Sequence, residues 1–87
     1  MNPPLKPYQK VVVDAIQRGG AVYYHQASSV VGRQRLALEG LRFELLRQPD
    51  AKVFWAYAVS PPSWVRVELD RFRLEFPRAT ITLKKCV

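Results

Sequence analysis

Seven consecutive apolar residues, Val53 to Val59, constrain this chain more than any other feature. A strand exposed on one face alternates apolar and polar positions, so an unbroken apolar run fits a strand covered on both faces, as in parallel sheets. The run is too short to span a bilayer, which needs about 20 apolar residues as a helix. Two helical patterns flank it. From about Gly32 to Gln48, Ala37, Leu38, Leu41 and Leu45 line one helix face, and Pro49-Asp50 stops the helix. Leu36, Phe43 and Leu46 lie off that stripe and predict cover on more than one side. After Ser60-Pro61-Pro62-Ser63, the residues Val65, Leu69, Phe72 and Phe76 recur at i, i+4, i+7 and i+11, ending at Pro77. Either serine can cap this helix.

The remaining elements complete an alternation. Proline at a first helical position, apolar Val12, Ala15 and Ile16, and Gly19-Gly20 predict a helix over Pro7 to Arg18, after an extended lead-in with Pro3 and Pro4. Ala21 to His25 is apolar and aromatic and reads as a strand, and Gln26 to Val31 as a loop. Ala79 to Leu83 alternates as an edge strand does, Ile81 inward and Thr80 and Thr82 outward. Helix, strand, helix, strand, helix, strand with right-handed crossovers predicts one small three-layer α/β/α domain: three helices on a three-stranded, mostly parallel sheet. The whole chain of 87 residues is one domain. Pairs at i,i+4 are expected between Arg35 and Glu39, Arg66 and Asp70, and Arg71 and Glu75.

Fourteen Lys and Arg against seven Asp and Glu give a formal charge of +7. That excess points to a polyanionic partner, nucleic acid first, with plain solubility as the alternative. Arg33, Arg35, Arg42 and Arg47 form a basic ridge or, interrupted by Glu39 and Glu44, a solvated face. The single Cys86 excludes an internal disulfide and a cysteine-based zinc site. No signal peptide is expected, and these features together predict a cytoplasmic protein. His25 has no visible catalytic partner, and Tyr23, Tyr24, Trp55 and Tyr57 fit sheet-face packing better than base stacking.

The loop before the long helix is where an α/β nucleotide-binding protein holds phosphate, through GxxxxGK and then Ser or Thr. Here Ala27-Ser28-Ser29-Val30-Val31-Gly32-Arg33-Gln34 keeps one glycine, puts arginine for lysine and glutamine for the magnesium-binding hydroxyl. The β-branched Val30 and Val31 disfavour a left-handed loop.

Leu5-Lys6-Pro7-Tyr8-Gln9 resembles the entry motif of superfamily-2 helicases and chromatin-remodelling translocases, the start of their first RecA-like motor domain. The resemblance runs from about residue 5 to 83, through Val53 to Pro62 and a helix with Trp64, Glu68-Leu69 and Phe72, where the Trp64–Glu68 interval is one residue longer than usual. It implies vestigial nucleotide-binding positions at Gln9, Gly32, Arg33 and Gln34. It places Ser60, Pro61 and the start of the third helix near nucleic acid. The chain lacks the acidic motif and the second motor domain that phosphoryl transfer needs, so no catalytic residue, metal or cofactor is expected, ATP included. In the family, the strand with the acidic motif lies between the first two strands seen here. Without it the sheet must re-pair, borrow a strand, or dock on a partner, and open edges make self-association one outcome.

The resulting expectation is a non-catalytic helicase-like module whose nucleic-acid contacts are Arg33, Arg35, Ser60, Arg66, Lys84 and Lys85. The alternative is a small regulator, of the kind phages encode, that binds a helicase, polymerase or defence complex. The third is an ATPase fragment that works with another chain.

Overall fold

A computed structural model describes residues 4–86, apart from the Tyr8 side chain. Pro3 and the Tyr8 part of the entry motif thus lie outside the described residues. The elements are α1 (Pro7–Arg18), β1 (Val22–Gln26), α2 (Val31–Arg47), β2 (Lys52–Tyr57), α3 (Ser63–Glu75) and β3 (Thr80–Lys85). The sheet order is β1-β2-β3 and both pairings are parallel. No strand stands between β1 and β2: Tyr23 aligns with Val53 and His25 with Trp55, so the sheet closes by direct pairing. Ala27 N–H to the Ala56 carbonyl and Cys86 N–H to the Tyr57 carbonyl, both 2.7 Å, carry each ladder one residue further.

Register assigns the faces. Tyr23, Val53 and Ile81 share one row, and His25, Trp55 and Leu83 the next. Against these rows pack Leu38, Leu41 and Leu45 of α2 and Val65, Leu69, Phe72 and Phe76 of α3, forming the main core. Every member of the predicted i, i+4, i+7, i+11 stripe is buried. The opposite face carries Tyr24 beside Phe54 and Gln26 beside Ala56. There α1 lies across β1 and β2, with Ala15 buried and Val12 half-buried. Trp55 and Phe54 are therefore both buried on opposite faces of one strand, which accounts for the apolar run as far as Tyr57; the strand expected to reach Val59 stops there, and Ala58 and Val59 are exposed.

α1 ends at Gly19 and Gly20, both in the left-handed region at φ 87° and 89°, where other residues are strained. The Lys52 Nζ donates to the Gly19 carbonyl at 3.3 Å and ties this turn to the start of β2. On the other layer, Arg42 of α2 meets Glu75 of α3 at 2.6 Å, and Arg73 donates to the Ile81 carbonyl at 2.8 Å.

Several local expectations need correction. Neither serine caps α3: Pro62 is the N-cap residue in an extended conformation, and Ser63 is already helical. None of the three expected i,i+4 pairs forms. Asp70 pairs with Arg73, Glu68 with Arg71, and Glu75 with Arg42, because i,i+3 and interhelical partners lie nearer; Arg35 turns to an aromatic ring instead. Nor is α2 covered on a second side, since Leu36 and Phe43 are 70% and 69% exposed and Leu46 is exposed with them. Ile16 is likewise exposed rather than part of the α1 contact face.

The core makes a contrast that unfolding measures directly. Leu69→Ala, at a fully buried site, should lower the unfolding free energy by about 2–5 kcal/mol in urea titration. Leu74→Ala, on the same helix but 83% exposed, should change it by less than about 0.5 kcal/mol.

Candidate nucleic-acid interface

Parallel pairing gives the molecule a polar axis. The carboxyl ends of all three strands meet at one edge, and the crossover helices α2 and α3 begin there. α1 enters β1 through a tight turn at the other end, so it too begins at this edge, where Leu5 and Gln9 share a cleft with Gln26 at the end of β1. Arg33 and Arg35 stand in the first turns of α2, Arg66 in the first turn of α3, and Lys84 and Lys85 at the end of β3. Ser60 sits in the loop between them. All six predicted nucleic-acid contacts thus share one edge. Lys6 and Lys10, at the start of α1, join them; their sequence signal was the antiparallel course of a helix preceding its strand.

The charge pattern separates this edge from the rest of the surface. The five ion pairs among the described residues join Arg18 to Asp14, Arg42 to Glu75, Arg47 to Glu44, Arg71 to Glu68 and Arg73 to Asp70. Arg42 and Arg47 are therefore neutralised locally, which breaks the supposed basic ridge. Nine of the fourteen cations form no ion pair among the described residues; seven of these, Lys6, Lys10, Arg33, Arg35, Arg66, Lys84 and Lys85, lie at this edge, while Lys52 and Arg78 stand at the opposite one. No helix has an acidic residue in its first turn, and neither α2 nor α3 has a side-chain cap. Free backbone N–H groups and positive helix ends therefore add to the cationic side chains. Glu39 and Glu68 line the groove behind, between α2 and α3.

Between β1 and β2 this edge opens into a cleft of about 390 Å³. Ser28, Ser29 and Gln34 form one side; Val59, Ser60 and Pro61 form another; Trp55 and Trp64 complete it. Gln34 is buried, and its Nε2 donates to the Ser28 carbonyl at 3.0 Å, anchoring the loop. Its Oε1 and the Trp55 Nε1 are both buried without a hydrogen-bond partner. Each such group costs about 1–3 kcal/mol. Trp64 borders both this cleft and the α2–α3 groove, and the Arg35 guanidinium stands 5.5 Å from its ring centroid. That contact is worth about 0.5–1 kcal/mol at an exposed site.

The implied nucleotide positions are dispersed. Gln9 lies on the α1 face, where its Oε1 accepts the Lys6 N–H at 2.9 Å. Gly32, Arg33 and Gln34 lie on the far layer, and Gln9 and Gln34 open into different clefts. The loop before α2 has no residue in the left-handed region; Val30 is extended at φ −84°, ψ 123°. Within it, Ser28 Oγ accepts the Val30 N–H at 3.1 Å. Among the described residues no group of three or more His, Cys, Asp and Glu could hold a metal. No helix there is long and apolar enough to cross a membrane.

No protein-family model, curated protein or solved structure matches the chain.

His25 packs on Trp55, ring centroids 4.4 Å apart and planes inclined by 48°, and burial lowers its pKa below the usual 6.5. The unfolded chain therefore binds a proton that the folded protein resists. Stability from this source is complete above about pH 7 and falls as the pH drops through 6.5. Thermal unfolding between pH 7.5 and 5 should show that decline, and His25→Phe should flatten it. An unchanged slope in the variant would assign the decline to other groups.

Proposed function

We propose that this protein is a non-catalytic module that binds nucleic acid through the carboxyl edge of its sheet. One observation carries the reading: seven of the nine cations without carboxylate partners gather at one edge, together with the uncapped starts of α2 and α3, and only Lys52 and Arg78 lie at the other. A merely solubilising charge has no reason to segregate from the ion pairs in this way. Phosphate is the anion that suits the arrangement, since arginine forks and backbone N–H groups both match its oxygens. Ser60 offers a neutral hydroxyl to the same backbone. The order of motifs shared with superfamily-2 helicases supports the same partner class.

The residues argue against retained ATP hydrolysis. Val30 in the loop that would cradle phosphate is extended, the Nε2 of Gln34 is committed to Ser28, and no hydroxyl follows Arg33. A second reading, a regulator that docks on another protein, draws on the exposed Leu36, Phe43 and Leu46 of α2. It predicts a stoichiometric protein complex and no salt-sensitive oligonucleotide binding.

Fluorescence anisotropy with a labelled single strand tests the choice. Affinity should fall steeply with salt, with a log–log slope near −0.7 for each phosphate contacted, and should ignore ATP-magnesium. Arg33→Glu with Lys85→Glu should weaken binding more than about tenfold, roughly 1.4 kcal/mol, with little change in thermal stability. Arg78→Glu, a charge change in the turn at the opposite edge, should leave binding within about twofold. Equal losses from both edges, or no binding at low salt, would overturn the proposal.

A further inference from the structure

We propose that the cleft at the carboxyl ends of β1 and β2 takes one unpaired nucleobase, its hydrogen-bonding edge on Gln34 and Trp55 and its ring against Trp64. For a base carried by a strand, this rests on the nucleic-acid reading above; for a free nucleoside it stands alone.

Two buried orphans define the chemistry. The Gln34 amide is oriented by its Nε2 bond to the Ser28 carbonyl, so the unpartnered Oε1 is an acceptor in need of a donor. The unpartnered Trp55 Nε1 is a donor only and needs an acceptor. Gln34 is 6% exposed and Trp55 0%, so bulk water does not satisfy them. A ligand offering a donor and an acceptor side by side on a flat apolar body answers both. Every nucleobase has such an edge, and proteins that take up a single base read it this way, with an aromatic or apolar wall against the ring.

The surroundings suit that ligand. Val31, Val59 and Pro61 supply apolar walls, and Trp64 supplies an aromatic ring held from the neighbouring groove by Arg35. The volume of about 390 Å³ lies within the range of small-molecule sites, roughly 300–1,000 Å³. Arg33 and Arg66 stand at the starts of the helices that border the cleft, where the sugar-phosphate of a seated base would emerge. Because both orphan atoms are closed to solvent, entry requires one wall to give. The segment 58–61 is suited to do so: it makes no backbone hydrogen bond among the described residues, and Val59 is 74% exposed.

The test compares homopolymeric DNA decamers of dA, dT and dC with a decamer of abasic sugar-phosphate, and with the free nucleosides. Binding is read by anisotropy and by the two indole N–H signals of the protein, with Trp64→Phe identifying that of Trp55. The expected result is that the best decamer binds at least about tenfold more tightly than the abasic strand at equal salt. The Trp55 indole proton should move downfield with that decamer and with its nucleoside. Equal binding of abasic and base-bearing strands, with a static Trp55 signal, overturns the cleft and leaves the phosphate reading intact. A base-dependent gain without any change at Trp55 also overturns it, since the bases then stack elsewhere. If no strand binds but a nucleoside moves the Trp55 signal, the phosphate reading fails and the cleft stands as a nucleoside site. If nothing binds, both fail.

Discussion

The parallel pairing of β2 with both of its neighbours is the constraint from which the other features follow. Two parallel neighbours in sequence require two crossovers of the same hand, so α2 and α3 stack on one face of the sheet. They bury Trp55 between them and the strand, while α1 covers Phe54 from behind. The same geometry sends both crossover helices away from the carboxyl edge. Their unpaired N–H groups, the strand ends and the loops 27–30 and 58–62 are then brought to one place without any contact between them being needed.

Charge is distributed along the same axis. Carboxylates occupy the middle and far turns of the helices and find arginines at three or four residues' distance, or across the α2–α3 seam in the case of Arg42 and Glu75. Such exposed pairs contribute little to stability, about 0–1 kcal/mol each. Their effect is to leave most of the unpaired positive charge at the carboxyl edge, which is the charge distribution that the proposed binding of a polyanion requires. The two buried orphans of the cleft run against the usual rule that buried polar atoms are paired. In a domain whose stability margin is small, two such groups are a substantial cost, and a ligand that satisfies them has a ready source of affinity.

Much of the architecture was legible in the residues. The continuous run from Val53 marked a strand covered on both sides, and the stripe of Val65, Leu69, Phe72 and Phe76 marked the helix that covers it, because period and burial are local consequences of one another. Pairing partners were not legible. An i,i+4 spacing proposes Arg66 with Asp70, but rotamers and neighbours in space choose Arg73, and only the packed seam brings Glu75 to Arg42. The apolar Leu36, Phe43 and Leu46 suggested a covered face because hydrophobicity says what prefers burial and not whether a partner is present. The edge site was half visible: five of its cations were named from the chain, while Lys6 and Lys10 needed the direction of α1. Gln34 was read as a weak substitute for a magnesium ligand, and its burial against Ser28 depended on tertiary packing.

Under the proposed function, one edge of the sheet receives the phosphate backbone. Amide chemical-shift mapping with a short single-stranded oligonucleotide at low salt tests it most directly. Perturbations should gather at residues 28–35, 58–66 and 84–86 and at the start of α1, with the far turns near residues 19, 48 and 78 unmoved. Shifts centred on those far turns, or on the exposed face of α2, would contradict it.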